Sequence, residues 1–139
     1  MVVHPSFPAK TVPASIAYAE ANPGKINMAS VGTGDTTHVS GELFKMMTGV
    51  DMVHVPYRDL PYSDLIAGRV HVYFSPIPAS IEYIRAGTLR ALAVTATSRV
   101  DALPTVPTMA DFIPGFEASG WIGLGAPKKN VSRDHRHAQ

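Results

Sequence analysis

The residues whose types and spacing suit chemistry fall in three short stretches. In Ser30-Val31-Gly32-Thr33-Gly34-Asp35, two glycines stand just ahead of a helical pattern. A turn relaxed in this way presents free backbone N–H groups and the positive end of a helix dipole to an anion. The same residues also suit a plain tight turn with Asp35 as helix N-cap, worth roughly 1 kcal/mol. A dinucleotide fingerprint needs a third glycine where Thr37 stands, and a phosphate loop needs Gly-Lys-Ser/Thr, so neither nucleotide motif is present. Thr36 and Thr37 follow with hydroxyls able to cap the helix or donate to a ligand.

His38 lies in the first turn of the same helix, three residues after Asp35 and on its face. Ser30, Asp35 and His38 together invite a Ser-His-Asp hydrolase reading. Against it, no Gly-x-Ser-x-Gly elbow is present, and triads are defined by geometry and not by proximity in sequence. In the second stretch, Tyr57 and Arg58 follow a strand ended by Pro56, where a guanidinium can grip a carboxylate with both arms or simply lie on the surface. The third, Phe74-Ser75-Pro76, offers a ring and a hydroxyl at another strand end, with core packing as the competing duty of Phe74. His54 and His71 sit in strand-like runs and His135 and His137 near the end of the chain, none with a partner at metal-ligand spacing. No metal or other cofactor is expected.

Positioning these stretches requires alternating helices and strands. Pro13 followed by Ile16, Ala17, Ala19 and Ala21 predicts a helix over 12–22, ended by Asn22-Pro23-Gly24. The run 26–29 reads as a strand. Asp35 to Thr48 reads as a helix with Val39, Leu43, Phe44, Met46 and Met47 on its apolar side, closed by Gly49. Strands at 52–55, 70–74, 89–95 and 120–126 and helices at 63–67 and around Ile81 to Arg85 complete the pattern. Such alternation predicts an α/β fold with a mainly parallel sheet of about five strands flanked by helices. Ligands gather beyond the carboxyl ends of such strands, which brings Ser30–Asp35, Pro56–Pro61 and Ser75–Pro78 to one rim.

The chain of 139 residues, 45% hydrophobic and 17% charged, is sized and composed for one folded domain, here residues 1–130, with a polar tail at 131–139 expected to be disordered. A net charge of +1 with scattered Lys and Arg speaks against nucleic acid as a partner. Without cysteine there are no disulfides, thiolate sites or Cys nucleophile. Residues 1–10 hold no apolar run of signal-peptide length, and no stretch of about 18 apolar residues occurs.

The ordered segments Phe7-Pro8-Ala9-Lys10-Thr11-Val12, Ala21-Asn22-Pro23-Gly24-Lys25, Gly32-x-Gly34 up to His38, Gly41-Glu42-Leu43-Phe44 and Val53-His54-Val55-Pro56-Tyr57 resemble the tripartite tricarboxylate transporter substrate-binding family, or Bug receptors. Tyr83 to Thr95, Leu103 to Thr108 and Gly115-Phe116-Glu117 continue the likeness, over about 2–129. The resemblance implies one lobe, the second, of a type II periplasmic-binding-protein-like fold that closes with another lobe on a small carboxylate and serves membrane transporter subunits. It implies a binding protein without catalysis, placed in the periplasm; made as it stands, without a signal peptide, the chain would stay in the cytoplasm. The ligand-facing parts implied are Ser30, Gly32, Thr33, Gly34, Asp35, Thr36 and His38, then Tyr57 and Arg58, then Phe74, Ser75 and Pro76.

Three features depart from the family's pattern. Asp35 stands where relatives usually place Thr or Ser, the loop Arg58 to Ser63 is about two residues short, and Ser75 replaces a frequent Asp, which argues against an amino-acid ligand. A lone lobe is expected to bind weakly, since enclosure between two walls supplies most of the affinity. The alternatives are a non-binding remnant that self-associates through the face of the missing lobe and, further off, a small α/β hydrolase.

Overall fold

A computed structural model describes residues 1–120, 123 and 125. Strand β1 (Val2–Val3) is followed by helix α1 (Val12–Ala21), β2 (Asn27–Ser30), α2 (Thr36–Thr48), β3 (Val53–Pro56), α3 (Tyr62–Ile66), β4 (Val72–Tyr73), α4 (Ile77–Arg85), β5 (Arg90–Ala91) and a 3-10 turn (Met109–Asp111). The helix boundaries follow from local chemistry. Thr11 caps α1 by accepting the Ala14 N–H at 3.3 Å, with Pro13 in the first turn. Gly49 ends α2 at φ 75°, a left-handed conformation that L side chains avoid.

The sheet has the order β3-β2-β4-β1-β5. β2 pairs in parallel with both β3 and β4, whereas β1 runs antiparallel to β4 and β5. Four strands therefore share one direction and β1 opposes them, a mixed sheet that agrees with the mainly parallel expectation apart from one inserted strand. β1 was not anticipated, because a two-residue strand has no alternation to display and its partners lie at 72–73 and 90–91.

Period-2 alternation splits the core between the two faces of the sheet. Val3, Met28, Val72 and Phe74 point to the layer shared with Val12 and Ala19 of α1 and Phe44 of α2. Val2, Ala29 and Tyr73 point to the other, with Tyr62 and Leu65 of α3 and with Tyr83 and Ile84 of α4 packed against it.

Two readings of elements need correction. The apolar side assigned to α2 is only in part its buried side: Phe44 is buried and Leu43 packs on the core, but Val39 is 55% and Met46 75% exposed, and Thr37 and Gly41 face inward instead. Gly41 packs so closely on β2 that a Cβ would collide with the Met28 side chain, so a small residue shares the docking face with Phe44. The expected strand at 89–95 is also shorter, with Arg90–Ala91 paired and only a bridge from Val94 to Thr108 beyond. The expected strand at 120–126 falls almost wholly, and the tail at 131–139 entirely, outside the described residues.

Candidate functional site

Beyond the carboxyl ends of β2 and β4 lies a cavity of about 470 Å³. Its walls come from the start of α2 (Thr36, Thr37, Ser40), the segment after β4 (Phe74 to Pro78, then Ser80 and Ile84 of α4), the turn Val94 to Ala96, and Ala118 to Gly120. Met1 and Val2 form its floor toward β5. The Ala118 N–H donates to Thr95 O at 3.1 Å and so ties the last wall to the rim. Gly120 passes so close to Thr36 that a Cβ there would sit 3.2 Å from Thr36 Cγ2.

Among the described residues no Asp, Glu, Lys or Arg side chain lines this space; the polar side chains there are hydroxyls set among apolar carbon. The Met1 nitrogen, buried in the floor, donates to Ala93 O at 2.8 Å. Ser40 and Ser80 hydroxyls donate back to Thr36 O at 2.7 Å and Pro76 O at 3.1 Å, so each presents its lone pairs. Ser75 Oγ lies 2.6 Å from the Tyr62 hydroxyl. Such a lining suits a solute with an apolar middle and few, well-placed polar ends.

Of the residues expected to face a ligand, Thr36, Phe74, Ser75 and Pro76 line the cavity. The glycine bend does something else. The N–H groups of Val31, Gly32, Gly34, Asp35 and Thr37 donate respectively to Thr37 Oγ1 (3.1 Å), Ser30 Oγ (3.2 Å), His38 Nδ1 (3.0 Å), Gly32 O (3.3 Å) and Asp35 Oδ1 (2.8 Å). These five donors are spent within the bend, while the Thr33 N–H has no acceptor among the described residues, so most of the would-be anion cradle is closed on itself. Open space does front it, since a Cβ at Gly32 (φ 144°) or Gly34 (φ 86°) would meet nothing within 4 Å. Asp35 is the N-cap of α2, and the Thr37 amide bond, foremost, holds its carboxyl below the usual range.

The triad suggested by Ser30, Asp35 and His38 is not assembled. Ser30 is fully buried, and its Oγ lies 2.6 Å from His54 Nε2 while accepting the Gly32 N–H. His38 stacks on His54 with centroids 3.8 Å apart, and its Nδ1 is occupied by Gly34. Burial, followed by the nearby His38, lowers the His54 pKa. These side chains hold the bend together.

Tyr57 and Arg58 lie outside the cavity. The Tyr57 hydroxyl donates to Asp64 Oδ2 at 2.8 Å, and Asp64 Oδ1 accepts from Arg69 at 3.0 Å. Arg58 is exposed with no hydrogen bond or ion pair to the described residues. Sequence reasoning missed Ser40, Ser80, Thr95 and Ala118 to Gly120. Ser40 was within reach, because it follows Thr36 by one helical turn. Behind the rim, the Tyr73 hydroxyl is buried without a partner among the described residues, and burial pushes its pKa well up.

Residues 1–134 match the profile of the family described as Tripartite tricarboxylate transporter family receptor. A protein from the tcbD-tcbE intergenic region of a Pseudomonas species is 41% identical over 114 residues, covering 79% of this chain and 34% of that protein. Protein BugT of Bordetella pertussis is 37% identical over 131 residues, covering 92% and 40%. The solved structure of R. palustris Rpa4515 with adipate superposes at a TM-score of 0.89 with 38% identity, over 94% of this chain and 45% of that one. The chain thus spans less than half the length of each of these relatives.

Proposed function

This chain belongs to the tripartite tricarboxylate transporter receptor family, and on that premise we propose that it supplies one wall, the second lobe, of a cleft that captures a small carboxylate for a tripartite membrane transporter. The observation that carries this reading is the rim cavity itself, formed where α/β folds place their ligands and lined by hydroxyls with no charged side chain among the described residues. An uncharged, donor-bearing apolar wall suits an acid whose charge is met partly elsewhere, and Rpa4515 was solved with adipate, a diacid with an apolar middle. Thr36, Ser75 and Thr95 hydroxyls contact the solute, while Phe74 and Ile77 cover its carbon chain. The cleft lies in the periplasm. Among the described residues no helix is long and apolar enough to cross a membrane.

No chemistry is assigned to the wall. Among the described residues its hydroxyls have no neighbouring base in the cavity lining; the Ser30–His54 contact has its oxygen fully buried, and the Ser6–His4 contact lies outside this cavity. Contact with one wall leaves much of a solute in water, so the 139-residue chain binds with a Kd on the order of 1 mM, about −4 kcal/mol.

The test is an amide NMR titration of the 139-residue chain with adipate, using 1,6-hexanediol as the uncharged control. Saturable shifts at Thr36, Thr37, Ser75 and Thr95 with adipate, and none with the diol, are expected. If the diol moves the same amides equally, or adipate moves none of them at tens of millimolar, the carboxylate reading fails.

A further inference from the structure

The opposite ends of the strands frame a second cavity, of about 240 Å³, for which a receptor wall has no evident use. It lies where Lys25 and Ile26 lead into β2 and where Val70 and His71 lead into β4; His4 and Ser6 reach it from the end of β1, and Tyr18 from α1.

Backbone contacts fix both imidazoles in one tautomer. The Asn27 N–H donates to His71 Nδ1 at 2.9 Å, and the Ser6 N–H donates to His4 Nδ1 at 3.1 Å. A ring nitrogen that accepts a hydrogen bond carries no proton, so each neutral ring bears its proton on Nε2. Burial lowers the His71 pKa and keeps that ring neutral near pH 7. Neither Nε2–H, nor the Lys25 ammonium, nor the Tyr18 hydroxyl has an acceptor among the described residues. Among the described residues no Asp or Glu lines the cavity. The described residues thus set donors around the space, with one fixed positive charge and no carboxylate to satisfy them.

We propose that this cavity binds a small oxyanion, whose oxygens accept hydrogen bonds from His4 Nε2, His71 Nε2, the Tyr18 hydroxyl and the Lys25 ammonium. Inorganic phosphate and a short carboxylate share that chemistry. The site is independent of the rim cavity, since the two lie at opposite ends of the sheet, and Thr36 and Ser75 amides serve as an internal control in its test.

The experiment follows the histidine ring nitrogens of the 139-residue chain by NMR at pH 7, titrating with inorganic phosphate in one arm and acetate in the other, with chloride holding ionic strength constant. Saturable shifts of His4 and His71 Nε2 are expected, together with a raised His71 pKa in the bound state. Response in the phosphate arm alone assigns the site to a tetrahedral anion, and response in the acetate arm alone to a carboxylate. A double variant, Tyr18→Phe with Lys25→Gln, keeps the Asn27–His71 bond and should weaken binding by about tenfold. Circular dichroism checks that it remains folded. The proposal is overturned if neither anion gives a saturable shift, or if the folded double variant titrates like the parent.

Discussion

Two neighbouring strands, β2 and β4, end at the same rim and lead into helices, yet their exits behave in opposite ways. After β2, Gly32 and Gly34 give the backbone enough freedom to fold back, so that the bend spends most of its own donors on Ser30, His38, Asp35 and itself. After β4, Pro76 and Pro78 restrict the chain and lack N–H groups, and α4 begins with no side-chain cap. There the rim stays open, and Phe74, Ser75 and Pro76 border the cavity. Glycines before a helix are often taken as the mark of an anion site. Here they mark the part that closes on itself, and the stiff exit leaves room for a solute.

Ser30→Ala breaks this comparison hardest. It removes the oxygen that accepts the Gly32 N–H and meets His54 Nε2, leaving two part-buried polar groups without that partner, a loss of about 0.5–1.5 kcal/mol read from the urea midpoint. The adipate shifts at Ser75 and Thr95 should persist. Thr36→Ala should do the reverse, weakening the adipate response at little cost in stability, because Thr36 is exposed on the cavity wall. If both variants lose adipate equally, the bend is itself part of the binding surface.

Acid should loosen the bend in the same way. The His54 pKa is lowered in the folded chain, so the unfolded chain binds the proton more readily below the ordinary value of 6.5. The stability this gives is full above pH 6.5 and is lost as pH falls through the folded pKa. His71 is lowered too and adds in the same direction, so a His54→Gln variant should show a smaller drop in urea midpoint between pH 7.5 and 5.5, and not its abolition.

On the stiff exit, Tyr73→Phe tests whether openness extends inward. The Tyr73 hydroxyl is buried without a partner among the described residues, so its removal should leave stability unchanged or raise it by about 1 kcal/mol. A clear loss would show that the hydroxyl has a partner, such as an ordered water behind the rim.

Much of this was legible in the sequence, and what was not has physical reasons. The helices 12–21 and 36–48 announce themselves through Thr11, Pro13, Asp35 and Gly49, all of which act locally. The rim location follows from alternation and the general behaviour of parallel strands, which is why Ser75 and Pro76 could be named beforehand. Val2 and Val3 could not be, as their pairing spans some seventy residues or more in sequence. The fate of the Gly32 and Gly34 amides was equally hidden: it depends on which side chains come back to meet them, and His54 arrives from a different strand. Gly41 shows the same limit in the core, where a missing side chain beside Phe44 turns the buried face of α2 away from Val39 and Met46.

The smallest effect expected is the most direct test of where charge sits at this rim. Asp35 caps α2 from the helix's positive end, beside the Thr36 and Thr37 that line the cavity. A negative cap competes with a bound carboxylate for the same dipole, and Asp35→Ser keeps a capping oxygen while removing the charge. An interaction of about 0.3–1 kcal/mol corresponds to a two- to five-fold tighter adipate titration at low salt. The gain should shrink as salt rises, because screening acts on an exposed charge and not on a hydrogen bond. Equal affinity at low salt would mean that the solute's carboxylate lies well away from the start of α2, and the binding surface would then move along the stiff exit toward Thr95.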